Sequence, residues 1–129
     1  MKDYSNLEHA EYPVSEKSIK FCEEMLGLRF GRQLVEYLTN YGYLAAGDIE
    51  FYGISGGRGP TSDMVVQTSQ LHIYHPHTAG CVVFEALGDG AYVMVRPDDS
   101  VVRYDSDTGA LTELGKCLNE YIESRLAGD

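Results

Sequence analysis

The feature that most constrains this chain is a change of hydrophobic period, made twice. Ile19, Cys22 and Leu26, with Met25 beside them, recur at helical spacing, and Leu34, Leu38 and Tyr41 form a second such stripe. From Ile49 onward the pattern turns to short runs of branched and aromatic residues broken by Gly, Pro and Asp, which is the signature of strands and tight turns. The helical spacing then returns at Leu111, Leu114, Leu118, Tyr121, Ile122 and Leu126. A chain patterned in this way is restricted to an α+β architecture of helices, antiparallel strands and a closing helix.

Local chemistry refines the limits. Ser15 suits a helix N-cap, with Glu16 favourable at the positive helix end and Gly27 as the stop, so a helix is expected over 15–26. Residues 28–31 leave room only for a short connection before a second helix, 32–41, ended by Gly42, and the pair reads as a helical hairpin. Ile49–Ile54 is a strand candidate and Ser55–Pro60 a loop. Asp63–Tyr74 is ambiguous: a helical turn capped by Ser62 or Asp63 that extends through Leu71 and Ile73. Cys81–Leu87, Ala91–Arg96 and Val101–Tyr104 are strands. Gly88-Asp89-Gly90 and Pro97–Ser100 connect them, and a third turn, Asp105–Gly109, follows; short turns of this kind make an antiparallel meander. The stripe from Leu111 to Leu126 is expected to lie on a last helix, with Thr112 as a candidate cap and Gly128 after it, covering one face of the sheet. The whole is one domain over 15–128, preceded by a polar leader, residues 1–14, that packs on it.

Length and charge narrow the function. At 129 residues the chain suffices for one domain. Ten Lys and Arg against twenty Asp and Glu give a net charge of -10, which disfavours nucleic acid and anionic membrane surfaces as partners and favours a protein with a basic surface. No apolar run approaches the roughly 20 residues of a membrane span, and the N-terminus has no signal-peptide core, so a cytoplasmic site of action is expected. Three cysteines, Cys22, Cys81 and Cys117, fit buried thiols in a reducing compartment better than a disulfide framework.

The order of elements, together with several phrases, resembles the SUKH superfamily, or Smi1/Knr4-like domain, over about 14–126. Glu23-Glu24-Met25-Leu26-Gly27 is similar to the close of the family's first helix, and Tyr37-Leu38-Thr39-Asn40-Tyr41-Gly42 to the close of its second. Phe51-Tyr52-Gly53-Ile54 resembles its aromatic-Gly-aliphatic strand, Asp63-Met64-Val65-Val66-Gln67-Thr68 its following segment, and Val82 to Val93 its hairpin with a Gly-Asp-Gly turn. Val102-Arg103-Tyr104-Asp105 and the terminal helix complete the likeness. One departure is Gly31, which stands where the family usually has Pro before its second helix. The resemblance implies a non-enzymatic binding module. Many bacterial members are immunity proteins that bind and block a toxin made by the same cell, often a nuclease, whereas yeast members act in cell-wall regulation. A bare domain looks like the bacterial kind, and an acidic surface that mimics a phosphate backbone suits the basic groove of a nuclease. That reading needs no cofactor and no metal.

Candidate contact residues follow from charge and aromaticity. Between Gln33 and Val95 the only Lys or Arg is Arg58, against Glu36, Asp48, Glu50, Asp63, Glu85 and Asp89. The turn acids Asp98, Asp99, Asp105 and Asp107 are expected to be exposed and to form a negative rim along one edge of the sheet, with Asp89, Glu85, Asp48 and Glu50 as further candidate contacts. Tyr52, Tyr74, Tyr92 and Tyr104 lie on or near strands and are candidate interface anchors, Tyr52 beside Asp48 and Glu50 above all. His72, His75 and His77 surround Pro76, but they share no face in helix or strand and read as a solvent loop rather than a zinc site. Gly53-Ile54-Ser55-Gly56-Gly57 matches the spacing of a nucleophile elbow, with Asp63 and His72 in Ser, Asp, His order. A small serine hydrolase using Ser55 is therefore the rival reading, although Gly56 to Pro60 forbids the helix an elbow needs. A regulatory adaptor is the other rival.

Overall fold

The computed structural model describes residues 2–54 and 63–128. Its elements run β1 (Glu8–His9), α1 (Glu16–Leu26), α2 (Arg32–Asn40), β2 (Leu44–Ala46), β3 (Ile49–Phe51), α3 (Met64–Tyr74), a 3-10 turn (Pro76–Thr78), β4 (Val82–Gly88), β5 (Ala91–Val95), β6 (Ser100–Asp105), β7 (Ala110–Cys117) and α4 (Leu118–Leu126). The strands form two antiparallel sheets, β1-β2-β3 and the meander β4-β5-β6-β7. The α+β architecture read from the sequence is the one observed, with helices at both ends and strands between them.

The first helix has its expected cap, and one of the two candidates caps the third. The Ser15 hydroxyl accepts from the Ser18 amide, and Gly27 closes α1 in the left-handed region. Asp63 is the cap of α3, its carboxylate accepting from the amides of Val65 and Val66, and the helix runs unbroken to Tyr74 where the sequence left helix and strand open. Residues 1–14 contribute β1, which pairs with β2, and bury Ala10.

The C-terminal expectation is corrected. Leu111 and Leu114 lie on β7, not on a helix; α4 starts at Leu118 with Cys117 at its N-cap, and Thr112 caps nothing because it pairs with Arg103. The open side of β6 offers a ladder of backbone partners, and those bonds outweigh an amphipathic spacing over one turn. Gly115, at φ +69, bends β7 where three residues face one on β6, so Leu-x-x-Leu here is a bulged strand rather than a helical stripe. Ile49–Ile54 likewise shortens to β3, ending at Phe51.

The two sheets share one core. Phe84 of β4 stacks on Phe51 of β3 at 4.9 Å between ring centroids and meets Tyr37 of α2 edge-on at 5.0 Å. The Tyr37 hydroxyl, fully enclosed, donates to the carbonyls of Phe51 and Tyr52, and the Tyr52 amide donates to the Phe84 carbonyl. Gly53 is needed here: a Cβ would collide with the Gly42 carbonyl. The β4 edge is thereby covered, since the Val83 amide also donates to the Thr68 hydroxyl of α3. One face of the meander carries Val83, Met94, Val102, Tyr92 and Tyr104 toward α3; the other carries Glu85, Val93 and Val95 toward α4.

Candidate functional site

The turn acids divide between opposite ends of the four-stranded sheet, so the single rim expected from the sequence is corrected to two unlike groups. The β5–β6 turn carries Asp98 and Asp99 at one end. The β4–β5 and β6–β7 turns carry Asp89, Asp105 and Asp107 at the other, held together where the Ser106 amide and hydroxyl both donate to the Gly90 carbonyl.

At the first end Asp99 is buried, 8% exposed, and is not a rim acid. Its carboxylate accepts from the amides of Gln33 at 3.1 Å and Leu34 at 3.3 Å, filling the cap that Gly31 has no side chain to supply. Its carbonyl accepts from the Leu118 amide, the first of α4, and the Gln33 side-chain oxygen accepts from the Asn119 amide. Two helix N-termini thus converge on one turn, and a carboxylate is favourable there on both hydrogen-bond and dipole grounds. Asp99 holds φ +68, a left-handed backbone that Asp tolerates. A Cβ on Gly31 would occupy the space of the Asp99 carboxylate, which gives a physical reason for the glycine at the position where Pro is usual. Asp98 is exposed, and its carboxylate is held below the ordinary range by hydrogen bonds from the Ser100 hydroxyl and amide.

At the second end Asp89, at φ +53, and Asp107 are exposed, while Asp105 is half-buried and accepts from the Asp107 amide. The row Ala86, Tyr92, Tyr104, Leu111 crosses all four strands just inside these turns. Tyr104 is enclosed: its hydroxyl lies 2.9 Å from His75 Nδ1, and the rings of His75 and His77 meet it edge-on. Tyr92 is half-buried and, with Gln67, Gln70, Leu71, Tyr74 and His75, lines a groove of about 220 Å³. Tyr74 is 77% exposed and its neighbour Ile73 71%.

Two further candidates move out of the surface. Glu85 is 2% exposed, accepting from the Tyr121 hydroxyl at 2.6 Å and from Arg125 at 3.1 and 3.0 Å. Removal from water and the hydrogen bond to Glu85 push the Tyr121 hydroxyl far above its ordinary range. Tyr52 is buried, and desolvation raises it as well. The physical reason is local cover: Glu85 closes the buried stretch Val82–Glu85 of β4 against α4, and Tyr52 sits where its amide bonds to the Phe84 carbonyl. Asp48 stays exposed on the β2–β3 turn, and Glu50 accepts from the Tyr43 hydroxyl at 2.5 Å.

The histidines are not a solvent loop. His72 lies on α3 and donates from Nε2 to the Cys81 carbonyl at 2.8 Å, His75 ends that helix, and His77 lies in the 3-10 turn. Among the described residues no group of three or more His, Cys, Asp or Glu is placed to hold a metal ion. Ser55 lies outside the described residues; the Asp63 and His72 that would complete a triad cap α3 and bind a carbonyl. Cys22 and Cys81 are buried free thiols raised by desolvation, and Cys117 is half-buried. Among the described residues, no helix is long and apolar enough to cross a membrane.

A larger apolar groove of about 540 Å³ runs along α1, lined by Phe21, Met25, Ile54, Val65 and Val66. Both Phe21 and Met25 are exposed, a feature the sequence reading passed over because both residues belong to an otherwise ordinary helix pattern.

A protein-family model described as SMI1-KNR4 cell-wall, of the SUKH group, matches residues 1–127. No curated protein matches the chain.

Proposed function

Because the chain belongs to the SUKH (SMI1-KNR4) family, we propose that it is an immunity protein of the bacterial kind, which binds a cognate toxin in the cytoplasm and neutralises it by occlusion. The observation that carries this reading is the end of the sheet bearing Asp89, Asp105 and Asp107, on a chain of net charge -10. Arg103 alternates with Tyr104 and so lies on the same face of β6 as Asp105, opposite the tyrosine. A negative end suits a toxin with a basic substrate groove, such as a nuclease, and requires no chemistry of the inhibitor.

The test is co-expression with the product of the gene immediately upstream, which this reading takes to be the toxin. Growth of cells carrying both genes, with co-purification of a stable complex, is the expected result. Toxicity unrelieved by this protein, with no complex on size exclusion, overturns the reading.

A further inference from the structure

We propose that the groove between Tyr74 and Tyr92 is the anchor pocket of that interface, and that it takes an arginine side chain from a basic segment of the toxin. This rests on the immunity reading and adds the place and chemistry of contact.

Three observations converge on it. Tyr74, at the last turn of α3, leaves its ring in water at 77% exposure, with Ile73 beside it at 71%. Large apolar side chains side by side in solvent are what a protein-binding surface exposes. The groove beside them has aromatic walls from Tyr74 and Tyr92 and amide groups from Gln67 and Gln70. Aromatic faces attract a guanidinium, amide oxygens accept its N–H groups, and Arg stacks on such faces better than Lys. The third is charge. Tyr92 is three residues from Asp89 along β5 and its turn, so that acidic turn stands at the end of the strand whose tyrosine lines the groove. An arginine entering it finds negative charge at the rim.

The α1 groove does not compete on these terms. It is larger, but Glu16, Lys17, Lys20 and Glu24 beside it are of both signs, so its surroundings select no partner charge. Asp105 is left out of the rim test because its carboxylate holds the Asp107 amide.

The experiment uses the full chain and the same upstream gene product, with affinity and association rate measured by biolayer interferometry. Tyr74→Ala and Gln70→Lys alter exposed positions, and circular dichroism confirms that each variant folds. The Tyr74→Ala change is expected to weaken binding by about 30-fold, the range of an interface anchor. Gln70→Lys, which sets a cation in the groove, is expected to do the same. The pair Asp89→Asn with Asp107→Lys is expected to slow association about 10-fold at low salt and far less at high salt. Asn is chosen at Asp89 because it accepts the same left-handed backbone. Phe21→Ala, in the α1 groove, is expected to leave binding unchanged. Wild-type binding that persists in folded Tyr74→Ala and Gln70→Lys overturns the groove and leaves the immunity reading standing. So does loss of binding confined to Phe21→Ala. A wild-type dimer that Tyr74→Ala dissolves also overturns it, since the occupant is then a second copy. No wild-type binding at all defeats the immunity reading, and the groove proposal with it.

Discussion

The two ends of the four-stranded sheet are built from the same materials and come out as opposites. Each has short turns rich in Asp, and each has an Asp in the left-handed region, Asp99 at one end and Asp89 at the other. Asp99 is buried and bonded to the first turns of two helices, whereas Asp89 stands in water. The difference lies in what each turn meets. Helix N-termini bring orphan amides to the β5–β6 turn, where the Asp99 carboxylate satisfies those of α2 and its carbonyl accepts from the first amide of α4. The other two turns bond to each other through Ser106, and their acids Asp89 and Asp107 stay exposed. Acidic turn residues are therefore of two kinds in this molecule, one holding helices and one facing outward.

The sharpest way to break the closed end is through its core residue. Leu118, fully enclosed at the start of α4, is expected to cost about 2–5 kcal/mol on truncation to Ala. A loss below about 1 kcal/mol in urea unfolding would show that α4 is not seated as described. Next, Asp99→Ala is expected to cost about 2–3 kcal/mol, combining a lost cap with a left-handed backbone that Ala resists. Gly31→Ala is expected to cost nearly as much, because its methyl displaces the same carboxylate. In a double-mutant cycle the two losses should fail to add; full additivity would separate Gly31 from Asp99.

Between the ends lies the Glu85 cluster, and its disruption is expected to be intermediate. Tyr121→Phe removes one donor from an enclosed carboxylate that keeps Arg125, at about 1–2 kcal/mol. The sign with pH follows from the raised Tyr121 hydroxyl. Folding favours its neutral form, so its contribution is complete below the ordinary tyrosine value near about 10 and is lost as pH climbs above it. Wild type should thus lose stability above that pH more steeply than Tyr121→Phe. Equal slopes in urea titrations would count against the enclosure of Tyr121. Tyr4, Tyr52 and Tyr104 are raised too, so both proteins share a residual alkaline loss.

The smallest effect belongs to the open end. Asp107→Lys is expected to shift stability by under about 0.5 kcal/mol, since the site is exposed and only its backbone amide is engaged. A loss approaching that of Asp99→Ala would erase the contrast between the ends. Combining Lys at Asp98, Asp99, Asp105 and Asp107 would confuse the two kinds of acid, since unfolding at Asp99 would mask any effect on a partner.

What the sequence determined by itself is local. Ser15 as a cap, Gly27 as a stop, and the positive-φ turn Gly88-Asp89-Gly90 each depend on atoms a few residues apart, and each is found where the chain places it; of Ser62 and Asp63, the structure selects Asp63 as the cap of α3. The meander and the α+β order follow from periodicity in the same way. Tertiary structure decided the rest. Leu111 and Leu114 joined a strand because β6 offered a ladder, against a spacing that also fits a helix. Tyr74 and Tyr104 read alike in sequence, yet one faces water and the other is enclosed by His75 and His77. Asp99 became a cap for an amide 66 residues away, and Glu85 a partner for residues 36 and 40 positions on. Burial of a polar group is set by donors that folding brings from elsewhere in the chain, and no local pattern encodes which acid they will meet.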